Sequence, residues 1–460
     1  MRPTAYLWSP ALQAAADDLP ANLGRSRAVH SLIRALRLTR TPDEPANDAA
    51  ALVVPPDLAL GTGAELARYH APGYVEYLLQ ARGESSDEEE SDSDDEGPRK
   101  KRRTVMGLEH DCPPFASLPA YATLVAAATL TACRLLATGD ARTAIVWDGG
   151  RHHALKSRAS GFCYVADAVL GILALTRAGV PAVPVPAGGD EAGEAGGEDG
   201  QVAEDDADDG DRPPTPPPPP KPSPRARILY LDLDLHYGDG VAQAFASPTH
   251  YAYPLKGRPR PPQVLTLSVH HAARGFFPPH APGTTPQDTP HPFSLSLGLG
   301  AYASCATYAR LWGAVERIKA AFRPHYVVLQ LGVDGLPRDP VGGYGAWGVS
   351  GEGSSTWVVE RVKEWDLPTC VLGGGGYDTP NAARSWALAT AVLVGRADVR
   401  EETDVPDHEG FEAYAPGYTL EVEPSHIPDE NTEQQLDAAD EAFAVLATRI
   451  AQIVDLHDKP

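Results

Sequence analysis

Residues 228–245 read ILYLDLDLHYGDGVAQAF. Apolar residues alternate with Asp232, Asp234 and His236, and the run breaks at Gly238-Asp239-Gly240. In an extended chain alternate side chains share one face. Asp232, Asp234 and His236 therefore point the same way, and Leu231, Leu233 and Leu235 form an apolar opposite face. A half-exposed edge strand with its polar side in water would account for this alternation. That apolar opposite face weighs against it, as do the other strand-like runs, which read as buried on both faces. Two carboxylates and an imidazole at a buried sheet end need a cation or hydrogen-bond partners. The spacing points to a metal site, and Asp and His ligands fit zinc, manganese or iron(II).

Outward from this stretch the chain alternates. Short apolar runs suited to buried strands are AIVWD (144–148), RILYLDL (227–233), QVLTLSV (263–269), YVVLQLG (326–332) and TCVLGGG (369–375). Helical stretches lie between them at 121–139, where Gly139 is a stop signal, and at 304–322 and 381–395. No internal repeat is evident. The expected fold is α/β: a single domain with a mostly parallel central sheet, helices on both faces, and an active site in loops at the carboxyl ends of strands.

The 460 residues carry a net charge of −23 and 42% apolar residues. The acidity is concentrated: residues 84–96 hold nine acids and residues 190–211 eleven, with no base in either tract. It therefore says little about the globular body. Two segments, 83–103 and 186–224, lack the apolar side chains needed to offset chain entropy and read as disordered insertions into one domain spanning 1–460. The first ends in PRKKRR, and its basic cluster Arg99–Arg103 reads as a nuclear localisation signal, with a solvated charge run as the plainer account. Ser85, Ser86, Ser91 and Ser93 lie in acidic surroundings suited to phosphorylation. Five cysteines without a C-x-x-C spacing read as free thiols in a reducing compartment. The first twenty residues lack the apolar core of a signal peptide, and no uninterrupted run of 18 apolar residues suggests a membrane span.

The ionisable residues that look out of place follow strand ends. Asp334, in LQLGVDG, is a candidate third ligand, or else a turn residue before Gly335. Arg151-His152-His153 follows AIVWDGG, and Asp232 and Asp239 are available as partners for the two histidines. A carboxylate sets the tautomer of an imidazole and raises its basicity, so such a histidine can serve as a general base. Surface loop histidines are the simpler alternative. Gly373–Gly376 lead into Tyr377; a phosphate cradle is rejected because no Lys-Ser/Thr follows, whereas a tyrosine hydroxyl near a metal could donate to a developing oxyanion. Phe162, Phe276 and Phe277 are core aromatics by default, or the walls of a narrow apolar channel.

Several stretches together resemble the zinc-dependent histone deacetylases, class I in type and of fungal kind, within the wider arginase–deacetylase fold group. They are HSLIRAL (30–36), DCPPF (111–115), GGRHHALKSRASGFCYVADAVLGIL (149–173), ILYLDLDLHYGDGVAQAF (228–245), TLSVHHAARGFFP (266–278), VVLQLGVDGLPRDP (327–340), LGGGGYDTPNAARSW (372–386) and VPDHEGFEAYAPGYTLEVEPS (405–425). They occur in family order and span nearly the whole chain outside the insertions. The resemblance implies zinc ligands Asp234, His236 and Asp334. It implies His153 as the main general base and acid, His152 as its electrostatic partner, and Asp232 and Asp239 as the groups orienting them. Tyr377 would polarise the substrate carbonyl. Gly161, Phe162 and Phe277 would line an acyl-lysine tunnel, with Asp111 on its rim holding the substrate backbone. A potassium ion near Asp232, Asp234, His236, Ser268 and Val269 is also implied. Three positions depart from the family: Arg151, where Trp or a small residue is usual, Tyr237 in place of a second His, and Ala166 in place of Asn.

The activity so implied is hydrolysis of N6-acetyl-lysine in histones or other acetyl-lysine proteins, giving lysine and acetate, with transcriptional repression in the nucleus (cytoplasm also open) and a possible corepressor complex. No membrane and no sequence-specific nucleic-acid partner is expected. Acetylpolyamine hydrolysis on the same fold and a weakly active chromatin scaffold are the competing readings.

Overall fold

The computed structural model describes residues 3–47, 49–81, 105–181, 225–246, 263–282 and 292–458. Both expected insertions, with Arg99–Arg103 and the four serines, lie outside the described residues. Among the described residues nine strands form one sheet: β1 (Thr4–Leu7), β2 (Thr39–Arg40), β3 (Ala51–Val54), β4 (Thr143–Val146), β5 (Ile228–Asp232), β6 (Val264–His271), β7 (Ser294–Leu299), β8 (Tyr326–Gln330) and β9 (Thr369–Leu372). Their order is β2-β3-β1-β4-β9-β8-β5-β6-β7, and every pairing is parallel. The carboxyl ends of β4, β9, β8 and β5 thus lie side by side in the middle of the sheet, where an open α/β sheet collects ligands.

The alternation within each strand feeds two cores, one per face. Along β5, Ile228 and Tyr230 join one cluster and Leu229 and Leu231 the other. The first face is covered by helices Pro10–Asp17, Pro72–Gln80, Leu118–Thr138, Asp167–Ala178 and Asp239–Phe245. The second is covered by Arg25–Ala35, Cys305–Phe322, Ser355–Glu364, Thr379–Val394 and Glu433–Asp458. Burying each large apolar side chain on these faces stabilises the fold by about 1.5–3 kcal/mol relative to exposure. The five strand-like runs and three helical stretches read from the sequence all form, with ends displaced by up to three residues.

The helix Leu118–Thr138 has 21 residues and an 18-residue stretch of mean hydropathy 1.5, long and apolar enough to cross a membrane by length and composition. Thr123, Thr129 and Thr131 interrupt it, so its sequence contains no uninterrupted run of 18 apolar residues. It packs between Pro10–Asp17 and Asp167–Ala178, with Val125, Ala128 and Ala132 fully buried. The cysteines Cys112, Cys133, Cys163, Cys305 and Cys370 are free thiols, all but Cys305 buried.

Candidate metal centre and active site

β5 ends at Asp232, and its register sets Asp232 between Gln330 of β8 and Ser268 of β6. The chain then leaves the sheet, and Asp234 and His236 turn toward Asp334, four residues past the end of β8. Asp234, His236 and Asp334 are buried, and their candidate ligand atoms all lie within 4.8 Å of one another. His236 Nδ1 is 2.8 Å from Asp334 Oδ2 and 3.4 Å from Asp234 Oδ1. Backbone amides fix the remaining oxygens: Leu235 N–H donates to Asp334 Oδ1 (2.9 Å), His236 N–H to Asp234 Oδ1 (3.0 Å) and Gly375 N–H to Asp234 Oδ2 (2.8 Å). Burial and the neighbouring Asp234 carboxylate push Asp334 above the usual carboxylate range. Two buried carboxylates this close create a demand for positive charge that a divalent cation meets. Buried as they are, these residues exclude the edge-strand account of the DLDLH run.

Beside this group stand two imidazole–carboxylate pairs. His152 Nδ1 is 2.9 Å from Asp232 Oδ2, and His153 Nδ1 is 2.8 Å from Asp239 Oδ1. Both histidines are buried, not surface loop residues. Asp232 Oδ2 also accepts from Tyr230 Oη at 2.9 Å. The two environments differ. Burial opposes charge on His152, but Asp234 and Asp232 outweigh it and hold its pKa up at about 9. Burial and His152 lower His153 to about 4, with Asp239 pulling only partly the other way. At neutral pH this holds His152 charged and leaves His153 neutral, the form of an imidazole that can accept a proton.

Tyr377 ends the glycine loop after β9. Burial, then Asp334 and Asp234, raise its phenol well above 10, so it keeps its proton at neutral pH. Its ring meets Phe162 edge-on at 5.5 Å, and Phe277 meets His153 edge-on at 4.9 Å. Both phenylalanines are half-buried, so neither is a fully buried core aromatic, and the two flank the histidine and tyrosine rings of the site. Phe276 stacks on His236 at 4.8 Å. Gly161 has φ +51, and a Cβ there would come within 2.6 Å of His153 Cδ2 and 2.8 Å of Phe277 Cε1. Asp111 is exposed, and its Oδ2 accepts from Gly161 N–H at 2.8 Å.

Ser268 Oγ is buried and has no hydrogen-bond partner among the described residues, and it lies next to Asp232 in the register. Val269 follows it in β6, also buried. An orphaned hydroxyl beside a buried carboxylate fits an oxygen-ligated monovalent cation there.

Other residues in this frame gave no sequence signal. Asp167 accepts from Thr129 Oγ1 (2.6 Å), Gly150 N–H (2.9 Å) and Arg151 N–H (2.8 Å), which fixes the loop leading to His152. Arg25, buried, donates to Gly374 O (3.0 Å) and Gly376 O (2.8 Å). Gln330 Nε2 donates to Gly150 O at 2.8 Å. Asp339 accepts four backbone amides, among them that of Tyr377.

Compared with known families, residues 20–185 and 221–393 match the one described as "Histone deacetylase domain". The chain belongs to the histone deacetylase family. It is 33% identical to "Histone deacetylase 8" of Xenopus tropicalis over 423 residues, covering 90% of this chain and 88% of that protein. It is 31% identical to "Histone deacetylase 8" of Danio rerio over 452 residues (95% and 93%), and 30% identical to "Histone deacetylase 6" of Arabidopsis thaliana over 421 residues (91% and 71%). It is thus a deacetylase, a hydrolase on the arginase–deacetylase α/β sheet.

The three departures from the family motifs have structural accounts in this deacetylase. Arg151 is buried; its Nη2 donates to Asp148 O at 2.8 Å and its guanidinium lies 5.9 Å over the Tyr121 ring. Tyr237 packs its ring against His270 at 4.9 Å and hydrogen-bonds Ser294, facing β6 and β7 rather than the metal group. Ala166 contributes its backbone N–H to His70 Nε2 at 2.9 Å.

Proposed function

We propose that this deacetylase is a zinc-dependent enzyme of class I type that hydrolyses the acetyl amide of N6-acetyl-lysine in histones. The observation that carries the reading is the convergence of the Asp234–His236–Asp334 group, both His–Asp pairs and Tyr377 at the central strand ends, with Phe277 against His153 and Phe162 against Tyr377. Asp234, His236 and Asp334 would hold the zinc ion, which when bound polarises the amide carbonyl and a water.

The rest falls to the chain's own residues. His153, its Nδ1 occupied by Asp239, presents Nε2 to take a proton from the attacking water and later return one to the lysine amine. His152, held toward its charged form, acts as its electrostatic partner. Asp232 and Asp239 fix the two rings. The Tyr377 hydroxyl donates to the oxygen that develops negative charge. Gly161, Phe162 and Phe277 line the passage for the lysine methylenes, and Asp111 holds the substrate backbone at its rim. A potassium ion would sit among Asp232, Asp234, His236, Ser268 and Val269. Transcriptional repression within a corepressor complex follows from this activity, and nuclear residence from the basic run 99–103.

The test is turnover of an acetyl-histone peptide against an acetylpolyamine, with metal analysis, on wild type and His153→Ala. About one zinc per chain, preference for the peptide and a loss of about 10²-fold or more in the variant support the reading. Preferred turnover of the polyamine would make the enzyme a small-molecule amidohydrolase. Zinc near zero with no turnover of either would make it a scaffold.

A further inference from the structure

The Tyr377 phenol is carried by a loop with little stiffness of its own. Gly373–Gly376 precede it, and Gly374 (φ +120) and Gly376 (φ +135) occupy backbone regions that side chains rarely adopt. A hydroxyl that must meet a developing charge needs its loop clamped from outside. Two clamps are present. The first is Arg25, whose Nη1 donates to the Gly374 and Gly376 carbonyls.

The second is Asp339, and it joins two loops. Its side chain is buried, with the residue 4% exposed. Oδ2 accepts from Tyr377 N–H at 2.6 Å and Asp378 N–H at 3.3 Å. Oδ1 accepts from Gly342 N–H at 2.8 Å and Val341 N–H at 3.0 Å. Both pairs are backbone donors, so the carboxylate recognises chain position and not side-chain identity. Asp339 lies five residues past Asp334, in the loop that brings Asp334 to the metal group, and Val333 N–H donates to Gly375 O at 2.9 Å. One carboxylate therefore sets the distance between the loop bearing a candidate ligand and the loop bearing the phenol. Asp378, the other amide bound, caps the helix Thr379–Val394 through Asn381 N–H at 3.0 Å, which transmits the rigidity of that helix to the same point.

We infer that Asp339 is a positioning residue for the deacetylation step, holding Tyr377 at its working distance from the metal group through the Tyr377 and Asp378 amides. This rests on the role given to Tyr377 above. Asp339→Asn is nearly isosteric but turns an amide NH2 toward one pair of N–H donors, so one clamp arm must open. A displacement of about 1 Å of a catalytic group costs about 10²-fold in rate.

The experiment measures kcat and KM for an acetyl-lysine peptide with wild type, Asp339→Asn, Tyr377→Phe and the double variant. Zinc content and thermal midpoint are recorded for each. Asp339→Asn is expected to lower kcat about ten- to hundredfold, with KM within about twofold and zinc retained. In the Tyr377→Phe background the same change is expected to cost less than about twofold, because the hydroxyl it positions is already gone. A full additive loss on Tyr377→Phe, or loss of zinc with kcat per zinc unchanged, would overturn the inference. If Asp339→Asn does not fold, Asp339→Glu, which keeps the charge and adds one methylene, is put through the same cycle with the same two criteria. Near-normal activity of Tyr377→Phe alone would instead remove the role of Tyr377, a separate result.

Discussion

His153 Nδ1 lies 2.8 Å from Asp239 Oδ1, in a ring also faced edge-on by Phe277 at 4.9 Å. Asp239 opens the helix Asp239–Phe245 and reaches His153 across 86 residues of sequence. The contact occupies one imidazole nitrogen and leaves the other for chemistry. Asp239→Asn would keep the shape but present either an amide donor or a weaker acceptor to Nδ1, so the tautomer is no longer fixed. The expected outcome is a fall in kcat of about ten- to a hundredfold with zinc retained, by analogy with the loss of a metal-bound imidazole's carboxylate partner. Steady-state kinetics with metal analysis checks it, and unchanged kcat would exclude a catalytic function for the pair.

Tyr377→Phe removes one donor and nothing else. The phenol keeps its proton at neutral pH, so in the proposed mechanism the variant would lose a hydrogen bond to developing charge and not a titrating group. Kinetics on an acetyl-lysine peptide should show kcat down by about two to three decades with KM little altered. Near-normal turnover would sink the assignment.

Gly161 makes a steric prediction. With φ +51 and a virtual Cβ 2.6 Å from His153 Cδ2 and 2.8 Å from Phe277 Cε1, any side chain must displace Phe277 or His153. Gly161→Ala is expected to cut kcat/KM for acetyl-lysine peptide by about tenfold or more, at about 1 kcal/mol or more of strain. Zinc content should stay at the wild-type level, since the metal group lies below this point. A variant with wild-type kcat/KM would show that the passage does not run past Gly161.

How much of this was legible in the sequence depends on what each residue does. Asp232, Asp234 and His236 stood out because acids at every second position contradict an otherwise apolar strand. Asp334 and Tyr377 stood out because they end apolar runs. β1, β2 and β3 carried no such signal: TAYL, TR and ALVV are too short for a period to register. β7, SLSLGL, alternates but with serine and glycine, and its burial alternates accordingly. Asp167, Asp339 and Arg25 were missed for another reason. Their partners are backbone groups, which every residue has, and Arg25 finds them 349 residues away at Gly374. Side-chain identity encodes the chemistry of this site, whereas the clamps around it become visible only once the chain is folded.

Buried neutral histidine ties stability to pH. His70 is 1% exposed; its Nε2 accepts from Ala166 N–H, and burial lowers its pKa to about 4. In the unfolded chain the imidazole protonates near 6.5. Between those values the unfolded state binds a proton that the folded state refuses. Stability is therefore full above about pH 6.5, falls as pH drops toward 4, and loses nothing more from this group below that. At about 1.4 kcal/mol per unit over this interval the loss comes to roughly 3.5 kcal/mol. His270, likewise lowered to about 4 by burial, adds in the same direction. His70→Gln keeps an acceptor for Ala166 N–H but cannot titrate. Urea unfolding from pH 7 to 4.5 should give a shallower decline for this variant, by close to one proton in slope, and an identical slope would mean that His70 is protonated in the folded protein.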